Sequence, residues 1–402
     1  MLRIGIGQRD ITPGRDLGLM GYAFHQQHFG SRNEGVRDPL RLKALLLWPE
    51  GQAPAAIVCL DLCIVSAALA RRFSAKVAEL AETTPDRVLV ATSHTHSGPD
   101  LKEREYRDPL AEMMPAAFVE EEPAAAAYIA DLETALAAAV AEALADPFPT
   151  SLRGREAPLG LGYRRRVMTD DGIDHAWNLS EQTHLEPDPQ VDPLLSLVKL
   201  RELDGDRQAL LWSHGCHPVV LGKGNNLVSA DWVGAANALV EAALPGAVGF
   251  FLLGAAGDTH PWIATQNRGE GVEAVGETAG TMVRLLAAAG GASERDPAFA
   301  AVKETVAVGA IEVDLSAWRL GPCRLVAAPV EAFASLGLML RKALPGPLIF
   351  ATCANGWTCY WGDEAACAEG GYEIDGGRHF GREDGDGEKL VEALVKLACQ
   401  LD

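Results

Sequence analysis

Val88-Leu89-Val90-Ala91-Thr92-Ser93-His94-Thr95-His96-Ser97-Gly98-Pro99 is the stretch from which the rest of the chain can be read. Its first five residues form a short apolar run, partly β-branched and closed by a turn signal, which marks a buried strand. Two histidines follow at positions i and i+2. With strand geometry continued through them, His94 and His96 share a face and point into one site at the strand's end. Neutral imidazole is a good Zn²⁺ ligand. The pair therefore reads as the start of a metal site or, more plainly, as two polar residues in a turn.

Two more motifs repeat this arrangement. Ser213-His214-Gly215-Cys216-His217-Pro218 follows the apolar run 209–212, and Asp231 downstream reads as the N-cap of a helix. One of these histidines completes a metal site in this reading, while the other supports it or sits in the core. Cys216, between them, is a candidate ligand or nucleophile. Gly254-Ala255-Ala256-Gly257-Asp258-Thr259-His260-Pro261 follows Phe250-Phe251-Leu252-Leu253. Glycines at a strand end let backbone approach a ligand closely, and their spacing matches neither phosphate-loop fingerprint, so no nucleotide is expected. Asp258 reads as a ligand, an imidazole orienter or a turn residue. Sites in α/β folds gather outside the carboxyl ends of strands, and three such motifs converge on that rule.

Working outward, strands are expected at 3–7, 42–48, 55–61, 87–92, 194–202, 207–213, 247–253, 305–314, 323–328 and 347–352. Helices are expected at 66–83 with Ser66 as cap, and at 123–145, 231–244, 271–289, 330–342 and 386–400. The Pro-rich segments 100–122 and 164–192 read as long loops that form lids or substrate walls. The fold class is α/β, with mixed sheets flanked by helices and a metal site at strand ends. A length of 402 residues suggests two or three domains, but no repeat, linker or composition break appears. One domain over 1–402 is expected.

The charge count is 35 Lys+Arg against 55 Asp+Glu, a net −20. Phosphate binding needs clustered Lys and Arg, and Arg164-Arg165-Arg166 is too short a run, so no nucleic acid is expected. Anionic membrane surfaces are disfavoured for the same reason, and the longest apolar run, 247–257, is far short of the ~20 residues of a membrane span. The N-terminus lacks the pattern of a signal peptide, and the eight cysteines form no CxxC pair. A cytoplasmic, reducing setting is expected. A homo-oligomer is compatible with these features.

The three motifs do not stand alone. Gly5-Ile6-Gly7-Gln8-Arg9-Asp10-Ile11-Thr12-Pro13, Met20-Gly21-Tyr22-Ala23, Asn226-Leu227-Val228-Ser229-Ala230-Asp231, Ala328-Pro329-Val330-Glu331 and Asn355-Gly356-Trp357-Thr358-Cys359-Tyr360 accompany them. Together they resemble the catalytic N-terminal domain of the neutral/alkaline (non-lysosomal) ceramidase family, which are zinc amidases. The resemblance implies that Zn²⁺ is held by His94, His217, Glu331 and Tyr360. It implies that His96 acts beside the metal on water or substrate, and that Arg165 lines the site, with Arg164 standing where the family has Asn. Physical chemistry agrees: Zn²⁺ lowers the pKa of bound water from 15.7 to ~7, His96 relays protons, and an Arg or Tyr donor to the oxyanion is worth ~2.7–4 kcal/mol. Read without the resemblance, Glu331 is a helix N-terminal acid and Tyr360 a packing residue.

Departures from the family bear on the substrate. His260 stands where the family has serine, which adds a metal or proton-transfer candidate. Trp357 replaces one of two spaced tyrosines. No C-terminal sandwich domain is expected, so a small soluble amide or ester is the expected partner rather than ceramide. Two alternatives remain at this stage. One is a binuclear metal amidohydrolase or esterase of another class, whose HxH motif follows the first strand of a barrel rather than about the fourth. The other is a non-catalytic metal- or ligand-binding relative.

Overall fold

The alternation of apolar residues along Arg41–Trp48 already builds two cores. Leu42, Ala44 and Leu46 face one of them, and Leu45 and Leu47 the other. The neighbouring strand Ala55–Leu60 divides in the same way, with Ala56, Val58 and Leu60 opposed to Ala55, Ile57 and Cys59. A strand buried on both faces must lie between layers. The computed structural model describes residues 1–14, 17–22, 32–110, 123–179, 185–186, 188–266 and 269–401, and it shows those layers.

An eight-stranded mixed sheet runs in the order Ala247–Leu253, Gln208–His214, Leu194–Glu202, Phe148–Pro158, Arg3–Asp10, Arg41–Trp48, Ala55–Leu60, Val88–Thr92. Its two outermost pairs are parallel and the inner pairs antiparallel. A four-stranded sheet, Phe299–Val308, Ile311–Leu320, Cys323–Ala327 and Leu348–Ala351, packs against its inner face. Helices Ala67–Leu80 and Pro123–Ala145 cover one half of the outer face, and Asp231–Ala243 and Glu270–Ala288 the other. Ala334–Ala343 and Asp386–Cys399 cover the far side of the small sheet. The order is helix, sheet, sheet, helix. Gly5 and Gly7 let Pro123–Ala145 press onto the first strand, because a Cβ on either would overlap the Ala143 or Ala139 carbonyl.

The α/β expectation holds, and most strands and helices lie within a few residues of their expected bounds. Ser66 caps its helix, its Oγ accepting from Leu69 N at 3.0 Å. Several details differ for physical reasons. The run 305–314 is the middle of a hairpin, turned at Gly309 with φ +60°, a conformation glycine adopts freely. Asp231 is the first residue of its helix and Ala230 the cap; the Asp231 carboxylate accepts instead from Val220 N and Leu221 N. The helix expected from 330 begins at Ala334, and Glu331 lies in the short strand Glu331–Ala332. Phe148–Pro158 escaped notice as a strand, since polar residues alternate into it. The segment 164–192 holds Arg166–Thr169 and Gly172–His175, and 100–122 holds the short helix Arg104–Arg107; residues 111–122, 180–184 and 187 lie outside the described residues.

The decisive feature for the site is how the large sheet ends. Val88–Thr92 and Ala247–Leu253 are its opposite edges, yet residues 352–355 bond to both. Thr352 N donates to Leu253 O at 2.8 Å, Thr92 N to Cys353 O at 3.2 Å and Asn355 N to Val90 O at 2.6 Å. The chain leaving the small sheet thus ties the two edges together, and the motifs that follow them are brought to one place. A barrel of the amidohydrolase type, with HxH after its first strand, is not this architecture.

Candidate metal centre

His94, His217 and Glu331 converge from three separate segments. Their ligand atoms lie within 4.8 Å of one another, and all three residues are buried. Glu331 Oε2 is 3.2 Å from His94 Nε2 and 3.2 Å from His217 Nε2. Each imidazole is oriented from behind by a main-chain carbonyl: His94 Nδ1 donates to Cys63 O at 2.8 Å, and His217 Nδ1 to Ala256 O at 2.5 Å. Those bonds fix the protons on Nδ1 and leave both Nε2 lone pairs facing the centre. The other carboxylate oxygen of Glu331 accepts from Trp357 Nε1 at 2.7 Å.

The meeting of His94 and His96 does not come from strand alternation. The strand stops at Thr92, and His94 adopts φ +67°. That left-handed turn swings its ring back so that His96 Nε2 lies 3.3 Å from His94 Nε2. Gly21, at φ +122°, packs against the His96 ring where no side chain would fit. On the opposite side, the glycine turn joins the other ligand segments: Gly257 N donates to Ala332 O, His217 N to Thr259 O, and Arg165 N to Asp258 O.

Electrostatics follow from burial and proximity. Burial alone would raise the Glu331 carboxyl, but facing His94 and His217 hold it well below the usual range. Burial pushes His217 down to about 4, and burial with the nearby His94 and His217 pushes His96 well down. Among the described residues, His217 Nε2 and Glu331 Oε2 are buried polar atoms with no hydrogen-bond partner. Orphaned groups of this kind call for an ion or water. Two imidazole nitrogens and a carboxylate oxygen are a ligand set suited to a divalent metal, and the residues present fit one.

These groups open onto a cavity of about 350 Å³. Its walls include Met20, Ile64, Val219, Trp177 and Trp357, and its polar lining includes His94, His96, Arg165, His260, Glu331 and Tyr360. Tyr360 is paired with Glu331 across a short parallel ladder, which sets the two side by side. Burial, then Glu331, raise its hydroxyl well above the ordinary value, so it stays protonated. Arg165 is 2% exposed and fixed by Glu373, Gly257 O, Tyr372 and His260.

Asp258, His214 and Cys216 lie elsewhere. Asp258 is outside the cavity lining; its Oδ1 accepts from Ala334 N at 2.8 Å, where Phe333 offers the helix no side-chain cap, and its Oδ2 from Arg164 Nε at 3.3 Å. His214 is buried on another face, with Nδ1 donating to Leu194 O. Cys216 is a core residue against Trp212 and Val220. His260 lines the cavity but belongs neither to the cluster of His94, His217 and Glu331 nor to a second one of Cys63, His94 and His96 among the described residues. Sequence reasoning missed Trp177, Tyr372 and Glu373. Their only signal was an aromatic or acidic residue inside polar or glycine-rich stretches.

No protein-family model matches the chain. Solved structures share its fold, two ceramidases among them. A neutral ceramidase from Pseudomonas aeruginosa superposes with a TM-score of 0.78 at 16% identity, covering 100% of this chain and 74% of that one. A ceramidase complexed with C2 gives 0.78 at 15% identity, covering 99% and 75%. The chain has a neutral-ceramidase-like fold.

Proposed function

We propose that the chain is a Zn²⁺-dependent hydrolase that cleaves an amide bond in a small substrate. The observation that carries this reading is the meeting of His94 Nε2, His217 Nε2 and Glu331 Oε2 at the wall of an apolar cavity. Those three residues would hold the ion, with Tyr360 beside them. When bound, Zn²⁺ supplies Lewis acidity that polarises a carbonyl and lowers the pKa of water.

The remaining work falls to the chain itself. His96, kept neutral by its surroundings, takes a proton from the attacking water and returns it to the leaving amine. Arg165 keeps its charge, and with the protonated Tyr360 it stabilises the oxygen on which negative charge develops. Trp177, Trp357 and Tyr372 exclude water, which strengthens those electrostatic contacts. A volume of about 350 Å³ lies at the low end of the ~300–1,000 Å³ typical of small-molecule sites, which favours a compact substrate. Both structural neighbours are named as ceramidases, which favours an amide over an ester.

The test is metal analysis of the purified protein, joined to hydrolysis of an N-acyl series from short to long chains. Bound zinc and turnover should be lost together in His94→Ala and His217→Ala. Undiminished turnover after chelation would sink the metal reading, and a preference for long chains would sink the small substrate.

A further inference from the structure

His260 is 1% exposed and lines the cavity, its ring 5.8 Å from that of His217 and 5.5 Å from Trp177. Its Nε2 lies 2.7 Å from Arg165 Nη1. A guanidinium carries only donors, so Nε2 accepts and the ring proton sits on Nδ1. That Nδ1–H is fully buried and has no hydrogen-bond partner among the described residues.

The arrangement is rigid. His260 lies in the strand Thr259–Pro261, in register opposite Tyr163 of Gly162–Arg164, and Arg165 is anchored on Glu373 at 3.1–3.2 Å. His260 cannot act as a base, because Arg165 occupies its lone pair. A buried donor left unpaired is destabilising, so its position needs a reason. The Arg165 guanidinium on Nε2 polarises the ring and strengthens the Nδ1–H as a donor.

We propose that His260 Nδ1–H is a specificity contact that donates to an oxygen of the substrate beside the scissile amide. The substrate class is then an otherwise apolar amide bearing one acceptor oxygen, carboxylate or hydroxyl, near the reacting carbonyl. This inference rests on the hydrolase reading and narrows it.

The experiment compares N-hexanoylglycine, N-hexanoylethanolamine and 2-hydroxyhexanoyl-propylamide with N-hexanoyl-propylamide, which lacks the oxygen. Turnover is read as kcat/KM and binding by calorimetry, both on the zinc-loaded protein. At least one oxygen-bearing compound should exceed the plain amide tenfold or more in the wild type, its identity separating carboxylate from hydroxyl. The ratio should fall to within about threefold of one in His260→Phe, and any loss common to all compounds cancels in it. Should that variant fail to fold, His260→Gln serves, because its amide oxygen can still accept from Arg165 while the Nδ1 donor is gone. A ratio near one in the wild type, or one that survives both substitutions, overturns the proposal. Compounds bound but not cleaved refute the hydrolase reading instead, and the affinity ratio then decides this one; no binding of any compound overturns both.

Discussion

Replacing Glu373 by Gln tests whether the support behind Arg165 is as strong as its geometry implies. Glu373 is fully buried and accepts from Arg166 Nη1 at 2.7 Å, Arg165 Nη2 at 3.1 Å and His175 Nε2 at 3.1 Å. Burial alone would raise its pKa; Arg165, then His175 and Arg166, more than offset this and bring it from 4.5 to about 2. At roughly 1.4 kcal/mol per pH unit, that difference stabilises the fold by about 3 kcal/mol at neutral pH. An independent argument gives the same scale, since breaking one partner out of a buried ion pair costs ~3–5 kcal/mol. A folded pKa below the unfolded one means the stabilisation is complete above about 4.5 and is lost as pH falls through about 2. Urea denaturation of wild type and E373Q at pH 7, 5, 4 and 3 should therefore show a gap of about 3 kcal/mol that closes on the acid side. A gap under about 1 kcal/mol at pH 7, or one that does not change with pH, would refute the reasoning.

Three further substitutions probe other parts of the argument. Trp357→Phe removes the donor to Glu331 Oε1 and should weaken metal affinity ~10–100-fold, measured by competition with a chelator. Gly7→Ala drives a Cβ into the Ala139 carbonyl, where overpacking costs ~1–3 kcal/mol or more; the urea midpoint should fall accordingly. Ser66→Ala deletes the cap on Leu69 N and should cost ~1 kcal/mol with no change in metal content.

The legible part of the fold was the part encoded locally. Runs such as Leu194–Glu202 and Ala247–Leu253 are apolar, short and bounded by turn residues, and they form strands over those residues. Phe148–Pro158 was missed because only Phe148, Thr150 and Leu152 are buried, and its half-buried second half carries Arg153, Arg155 and Glu156. Glu331 was expected at the start of a helix; in the structure a strand pairing with Tyr360 displaces the helix start to Ala334. No local propensity reveals that exchange, since Tyr360 is 29 residues away. Asp258 shows the same limit. A carboxylate beside a glycine turn and a histidine fits catalysis by pattern, but its oxygens are taken by Ala334 N and Arg164.

The candidate ligands were readable only as separate motifs, since what unites them is tertiary. Each motif ends a strand, but Val88–Thr92 and Ala247–Leu253 are opposite edges of one sheet, and strand order alone would place them far apart. Residues 352–355 close that distance by bonding to both edges. Left-handed backbone accompanies the closure: Cys353 and Asn355 within it, and His94 and Cys359 beside it, hold φ between +48° and +67°. For residues other than glycine such conformations cost of order 1–3 kcal/mol each and persist only where surrounding structure fixes them. Here that surrounding structure consists of the bonds from Thr92 N, Cys353 N and Asn355 N, together with the Cys63 carbonyl on His94. The left-handed turn at His94 sends its Nε2 toward Glu331 rather than along the strand. A straight continuation of the strand would keep the i, i+2 pattern of the two histidines on one face, but it would not turn His94 into the convergence with His217 and Glu331.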